Sequence, residues 1–285
     1  QTKTVDKDLL TNKRGLGMRK LREGIRKSIN WFGYDLVKLH PYLALKESKA
    51  QFENLSRWLQ PTVHEDLRHF ILDNVRSSHA QIQQDLLALY IYRRVSAQNN
   101  SSRNPFFVEF GATDGVILSN SYLLEKSYGW EGILCEPAKY WHSRLNLNRT
   151  AIIDFRCVYT EDDLELEFLE TEIREFSTIA KFKRNDYHSS SRHGARKYKV
   201  QTVSLNTLLE EKDAPNYIDL LSVDTEGSEY EILSKFNFSA WQFGLIAVEH
   251  NFRKERESIF VLLKAAGYIR ILSDISSWDD WYILE

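Results

Sequence analysis

The sequence predicts an α/β fold in which a mostly parallel sheet, covered by helices on both faces, closes with an antiparallel last strand and follows an N-terminal helical extension. Three observations carry this expectation. From Phe106 onward, short apolar runs alternate with helical stripes, the pattern of parallel strands joined by right-handed crossovers. The stretch FFVEFGATDG, 106 to 115, sets an apolar strand directly before a glycine turn,. Near the end, Tyr268 to Leu272 and Tyr282 to Leu284 read as a closing antiparallel pair.

Bulk properties narrow the class. With 285 residues, 42% of them hydrophobic, the chain can bury the core of one full domain and still carry an extension. It contains no run of eighteen apolar residues and no apolar stretch near residue 1 that resembles a secretory signal, so a cytoplasmic location is expected. Two cysteines, Cys135 and Cys157, are too few for a disulfide framework and read as buried thiols in a reducing compartment. The net charge of −2 conceals an asymmetry: residues 1 to 27 hold nine Lys or Arg against three acids, which leaves the remaining 258 residues at −8. No nucleic-acid partner is expected of so acidic a body.

Within 18 to 39, Leu21, Ile25, Ile29 and Phe32 recur at helical spacing beside Arg19, Lys20, Arg22, Arg26 and Lys27. That pattern suits a basic amphipathic helix making peripheral contact with an anionic membrane, and equally a solvated helix packed on its own domain. Three helical stripes follow. Leu45, Phe52, Leu55 and Leu59 precede Pro61; Thr62 and Glu65 form a capping box before Val63, Leu67, Phe70 and Ile71; Ile82, Leu86, Leu89 and Tyr90 form the third,. Core packing explains them most simply, with a cap over the site or a dimerisation arm as the functional alternatives. The polar SAQNNSSRN, 96 to 104, marks the domain boundary,, giving an extension over 1–102 and a main domain over 103–285.

Beyond the glycine turn, Ser119 or Ser121 caps a helix through Tyr122, Leu123 and Leu124 that stops at Gly129,. Strands are expected at Gly132 to Cys135, Ile152 to Phe155, Val200 to Val203, Ile218 to Val223 and Leu245 to Val248. A capping box from Ser228 to Glu231 opens a helix that buries Ile232 and Leu233,. The region 160 to 199 breaks the rhythm: LELEFLE alternates like a strand, and a polar, basic stretch with His188, Arg192, His193, Arg196 and Lys197 follows. It reads as a surface loop or as a cationic lid for an acidic acceptor.

In an open α/β sheet, ligands lie outside the carboxyl ends of the strands. Asp114, Glu136, Asp224, Glu249 and His250 all fall at such ends. The turn E-F-G-A-T-D-G lacks the G-x-G-x-x-G spacing of dinucleotide binders, and its acids suit a cation better than a pyrophosphate. Glu136, about twenty residues on, stands where a ribose diol is gripped. S-adenosylmethionine combines a ribose with a sulfonium and an ammonium.

FVEFGATDG, LLEKSYGWEGILCEP, SVDTEGSEYEIL, AVEHN and WDDWY, in this order from about Arg103 to Glu285, resemble the successive motifs of the FkbM-type methyltransferases. The resemblance implies a class I, Rossmann-like fold, S-adenosylmethionine as cofactor, and O-methylation of a hydroxyl on a sugar, a glycan or a polyketide-type product. It assigns cofactor contacts to Glu109, Gly111, Thr113, Asp114, Gly115, Ser119, Asn120, Glu136, Pro137, Val158 and Asp224. A glycan acceptor would meet Glu226, Asn251, Arg192, Arg196, Trp278 and Asp279, with the aromatic WDDWY cluster as a stacking platform. Two routes activate the hydroxyl: His250 as general base oriented by Glu249, with Asp224 beside it, or Mg²⁺ held by Asp224, Glu249 and Asn251. D-T-E-G after the fourth strand departs from the N/D-P-P-Y/F turn of nucleic-acid amino methylases. A non-catalytic, cofactor-binding scaffold is the alternative from a different class.

Overall fold

The computed structural model describes residues 54–99, 103–171, 178–179 and 196–285. The chain divides into two compact units, Gln1–Arg57 and Trp58–Glu285, and the sheet belongs to the second. The basic run 18–39, the stripe residues Leu45 and Phe52, and Arg192 lie outside the described residues.

Seven strands form the main sheet. In spatial order they are β10 (Tyr268–Ile271), β11 (Asp279–Leu284), β9 (Gln242–Glu249), β8 (Tyr217–Val223), β1 (Phe106–Phe110), β2 (Glu131–Cys135) and β3 (Ile152–Asp154). From β9 to β3 all pairs are parallel, whereas β11 runs antiparallel to both β9 and β10. The strand order reverses beside β1, which creates the crevice where such sheets bind ligands. Every residue of β1 is buried: Phe106, Val108 and Phe110 join the cluster on one face, and Phe107 the cluster on the other. A strand covered on both faces needs this continuous apolar run.

The first face is covered by α5 (Leu205–Glu211), α6 (Glu229–Ser234) and α7 (Glu255–Ala265), which contribute Leu208, Leu233 and Leu263. The second is covered by α1 (Glu65–Asn74), α2 (Gln84–Asn99), α3 (Tyr122–Tyr128) and α4 (His142–Asn148). The boundary expected after residue 102 is therefore displaced. Ile82, Leu86, Leu87 and Leu89 pack with Phe107, Leu220, Leu245 and Trp281, because the apolar stripe of α2 and the bare second face of the sheet each need a cover. Trp58 seals this side by stacking on Trp281, with centroids 5.6 Å apart and planes 9° from parallel.

Both expected capping boxes are corrected. At α1 the cap is His64, whose Nδ1 accepts from the Asp66 N–H at 3.3 Å, while Thr62 donates to Asp274 instead. At α6, Ser228 makes no side-chain cap, and Glu229 rather than Glu231 accepts from Thr225 N and Gly227 N. Glu231 instead accepts from the Tyr159 hydroxyl. A smaller sheet, in order β4 (Cys157–Tyr159), β7 (Arg196–Ser204), β5 (Glu165–Glu170) and β6 (Thr178–Ile179), occupies part of the irregular region. The β5–β7 ladder is flanked by the exposed ion pairs Lys197–Glu167 and Lys199–Glu165, so Lys197 lies within a strand. Cys135 and Cys157 are free and buried.

Candidate active site

A cavity of about 470 Å³ opens at the carboxyl ends of β1, β2, β8 and β9. Gly111, at φ +70°, makes it possible. A Cβ there would stand 2.4 Å from the carbonyl oxygen of Asp224, so only glycine lets the ends of β1 and β8 meet. Gly111 and Ala112 donate to Cys135 O at 3.1 and 3.3 Å, which ties the turn to β2 as well. Of the cofactor residues expected from the sequence, Gly111, Thr113, Asp114, Ser119, Asn120, Glu136, Pro137, Val158 and Asp224 line the cavity.

Glu109 and Gly115, expected as cofactor contacts, lie outside that lining. Glu109 is buried beneath the turn and accepts from Ser119 Oγ at 3.0 Å, Asn120 N at 2.7 Å and Ser121 Oγ. Gly115 packs against Arg149, whose Cγ would lie 2.6 Å from an added Cβ. The fully buried Arg149 guanidinium donates to Glu125, Gly115 O and Ser121 Oγ at 2.6, 3.0 and 2.8 Å. Burial alone would push the Glu125 carboxyl up, but Lys126, the Thr150 N–H and Arg149 together hold it down at about 2. The backbone over this network is thereby fixed: Asp114 Oδ1 accepts from Val116 N and Ile117 N, both at 2.9 Å, and Ser119 Oγ caps α3 through Tyr122 N.

At the β2 end, Glu136 accepts from Thr113 N at 2.8 Å and Ala138 N at 2.7 Å. Burial raises its carboxyl to about 7, against the lowering effect of those two N–H groups,. Trp141 and, from the small sheet, Phe168 and Ile179 give this end an apolar wall.

Acids dominate the opposite end. Carboxylate oxygens of Asp224, Glu226 and Glu249 lie within 4.8 Å of one another. Asp224 opens into the cavity yet lies deep in the protein. Its carboxyl is raised by burial first and then by the charges of Asp279 and Glu229. Glu249 is raised by burial and then by Asp224 and Glu226. Glu229 pairs with Arg253 and so joins the loop after β8 to the loop after β9. On the cavity lining, Asn120 Oδ1, Glu249 Oε2 and Asn251 Nδ2 are buried without a hydrogen-bond partner. This set of donors and acceptors fits a ligand with polar groups of both kinds, as a nucleoside-linked amino acid has. Asn251 also lines the cavity.

His250, expected as general base, stands outside the cavity lining. It is 2% exposed. Nε2 lies 3.0 Å from Asp279 O, and Nδ1 accepts from Phe252 N at 3.0 Å. Both nitrogens brace the turn, and burial lowers the imidazole's basicity. Of the acceptor residues, Glu226, Asn251, Trp278 and Asp279 line the cavity; Arg196 does not, since it starts β7 opposite Glu170.

Several lining residues went unread in the sequence. Gln84 Nε2 donates to Asp279 Oδ2 at 2.7 Å, which brings α2 into the site. Ile117, Leu118 and Phe252 reach its mouth. No local pattern marks such residues, although isolated exposed apolar side chains beside a glycine turn and a strand end were a usable signal.

The family profile of the methyltransferase FkbM domain matches residues 109–274. No curated protein matched the chain.

Proposed function

This chain belongs to the FkbM methyltransferase family, and from that premise we propose that it moves a methyl group from S-adenosylmethionine to a hydroxyl of a sugar or glycan. The observation that carries the reading is the cluster of Asp224, Glu226 and Glu249 at one end of a cavity whose other end is built around Glu136; burial and neighbouring acids raise Asp224 and Glu249. S-adenosylmethionine, when bound, supplies a methyl carbon already activated by a sulfonium. Thr113, Asn120 and the Gly111 backbone would hold it, and Glu136 would accept from its ribose hydroxyls.

An alcohol is too weak an acid to react unaided, so a group of the protein must take its proton. Asp224 and Glu249 suit that task. Desolvation and neighbouring acids raise both carboxyls, and the ionised member of such a pair is a stronger base than an ordinary carboxylate. Trp278 and Asp279, the latter fixed by Gln84, would orient the sugar ring.

A bound divalent cation is the second reading, favoured by the spacing of Asp224, Glu226 and Glu249. Asp224 and Glu249, with Glu226 or with Asn251, offer oxygen donors of the kind Mg²⁺ prefers,. Loss of turnover in chelator, restored by Mg²⁺, is its expected outcome; full activity in chelator removes it. No described helix is long and apolar enough to cross a membrane. A cytoplasmic enzyme touching the membrane through residues 18–39 remains part of the proposal, and cosedimentation with anionic vesicles tests it.

Titration calorimetry with S-adenosylmethionine, followed by release of S-adenosylhomocysteine on a panel of glycans and simple glycosides, tests the main reading. Binding with turnover on a hydroxylated sugar supports it. Binding without turnover on any member, or no binding at all, overturns it.

A further inference from the structure

The cavity has a polar floor and an apolar mouth. Ile117, Leu118 and Phe252 line it while remaining 62%, 47% and 72% exposed. Large apolar side chains at such exposure gain nothing from the protein's own core. Two of them, moreover, are held in backbone that bulky residues avoid: Leu118 at φ +60° and Phe252 at φ +56°, with Asn251 at +44° just before. Left-handed backbone at a bulky residue persists only where the surroundings enforce it, and it concentrates at functional sites.

The surroundings here do enforce it. Leu118 lies between the Asp114 turn, which engages Ile117 N, and Asn120 N, bonded to Glu109 at 2.7 Å, and it also bridges to Ala80. Phe252 is fixed by its own N–H on His250 Nδ1 and by the next residue, Arg253, paired with the buried Glu229. His250, displaced from the role of base, thus has a use in aiming Phe252. Two independently braced turns present apolar side chains at the mouth of one cavity.

We propose that the acceptor is an amphiphile, a sugar carrying an alkyl or isoprenoid-like aglycone, whose hydroxyl reaches the acid end of the cavity while its apolar part rests on Ile117, Leu118 and Phe252. This rests on the O-methyltransferase reading above and narrows its substrate class. Continuity of the apolar mouth with the acidic floor selects this occupant, since one molecule spanning both must be polar at one end and apolar at the other.

The test compares matched methyl and octyl glycosides from the same sugar panel, below micellar concentration, by KM and by calorimetry. The octyl form is expected to bind about tenfold or more tightly, since seven added methylenes need only be partly buried to give that factor. Leu118→Gly and Phe252→Gly remove the side chains and also relieve the left-handed backbone, so thermal stability should hold or rise while the octyl-to-methyl preference collapses toward one. Equal affinity for the two glycosides in the wild-type chain overturns the proposal and leaves the O-methyltransferase reading intact. An octyl preference that survives in both glycine variants overturns it too, as does a shift of Phe252→Gly from dimer to monomer in sedimentation, which would assign the patch to a second copy. Absence of turnover and of binding on every glycoside defeats the broader reading and this one with it.

Discussion

Under the glycine turn, Glu109 and Glu125 lie around the fully buried guanidinium of Arg149, and each also accepts from hydroxyl and backbone donors. At the ends of β8 and β9, Asp224, Glu226 and Glu249 face one another, while the nearby Arg253 is engaged by Glu229. The chemical groups are alike, but their protonation differs. Glu125 is held at about 2, whereas burial and neighbouring acids raise Asp224 to about 7 and drive Glu249 well above its ordinary value. A compensated carboxylate fixes backbone; an uncompensated one is available for acid–base chemistry. One rim of one sheet thus separates the two uses of an acidic residue by where it places its cations.

Experiments that break this contrast have graded effects. Glu249→Gln preserves shape and removes the shared proton site, so kcat should fall by about 10² to 10⁴-fold with little change in thermal midpoint; near-normal turnover would return the proton-accepting role to another group. Arg149→Met takes the buried cation from Glu109, leaves Glu125 with Lys126 alone, and should cost about 3 kcal/mol of stability in a denaturant titration. It should also raise the KM for S-adenosylmethionine, because the turn over it loosens. Were the midpoint unmoved, the network would not be what holds that turn.

Glu136 gives an intermediate effect with a definite sign. Its carboxyl is raised from an ordinary 4.5 to about 7 in the folded chain, so its contribution to stability is fully present below 4.5 and is lost as pH rises through 7. The ionised form is the better acceptor for ribose hydroxyls, so cofactor affinity should rise across that window. Opposite trends in free-chain stability and cofactor affinity, both flattened by Glu136→Gln, are expected from melting curves and calorimetry between about pH 4.5 and pH 8,. Lys199→Ala, at the exposed Lys199–Glu165 pair, should leave both stability and turnover where they were.

Local signals carried most of the sheet. The run FFVEF before Gly111, the stop at Gly129 in left-handed backbone, and the near-continuous β8 are consequences of a few adjacent residues, so they are legible one segment at a time. What escaped depends on distant partners. The stripe of α2 announces a buried face without saying that Phe107 and Trp281 cover it. Glu-His-Asn at the end of β9 resembles a base beside its orienting acid until the positive φ angles at Asn251 and Phe252 turn the imidazole into the backbone. Ser228-x-x-Glu231 has the spacing of a cap, yet Glu229 already satisfies the N–H groups that such a cap would serve. Arg149 had no local mark at all, because its importance lies in Glu109, forty residues earlier in the chain.

The position of β11 between β9 and β10 bears on how this domain comes into being. The strand that completes the sheet, holds Asp279 at the cavity and receives the indole of Trp58 is made after both strands it separates. Until translation has passed Leu284, a gap separates two strands that are already synthesised, and the indole of Trp58 has no stacking partner. Formation of the cavity is therefore coupled to completion of this strand, and chains arrested before it should expose apolar surface that chaperones and proteases recognise.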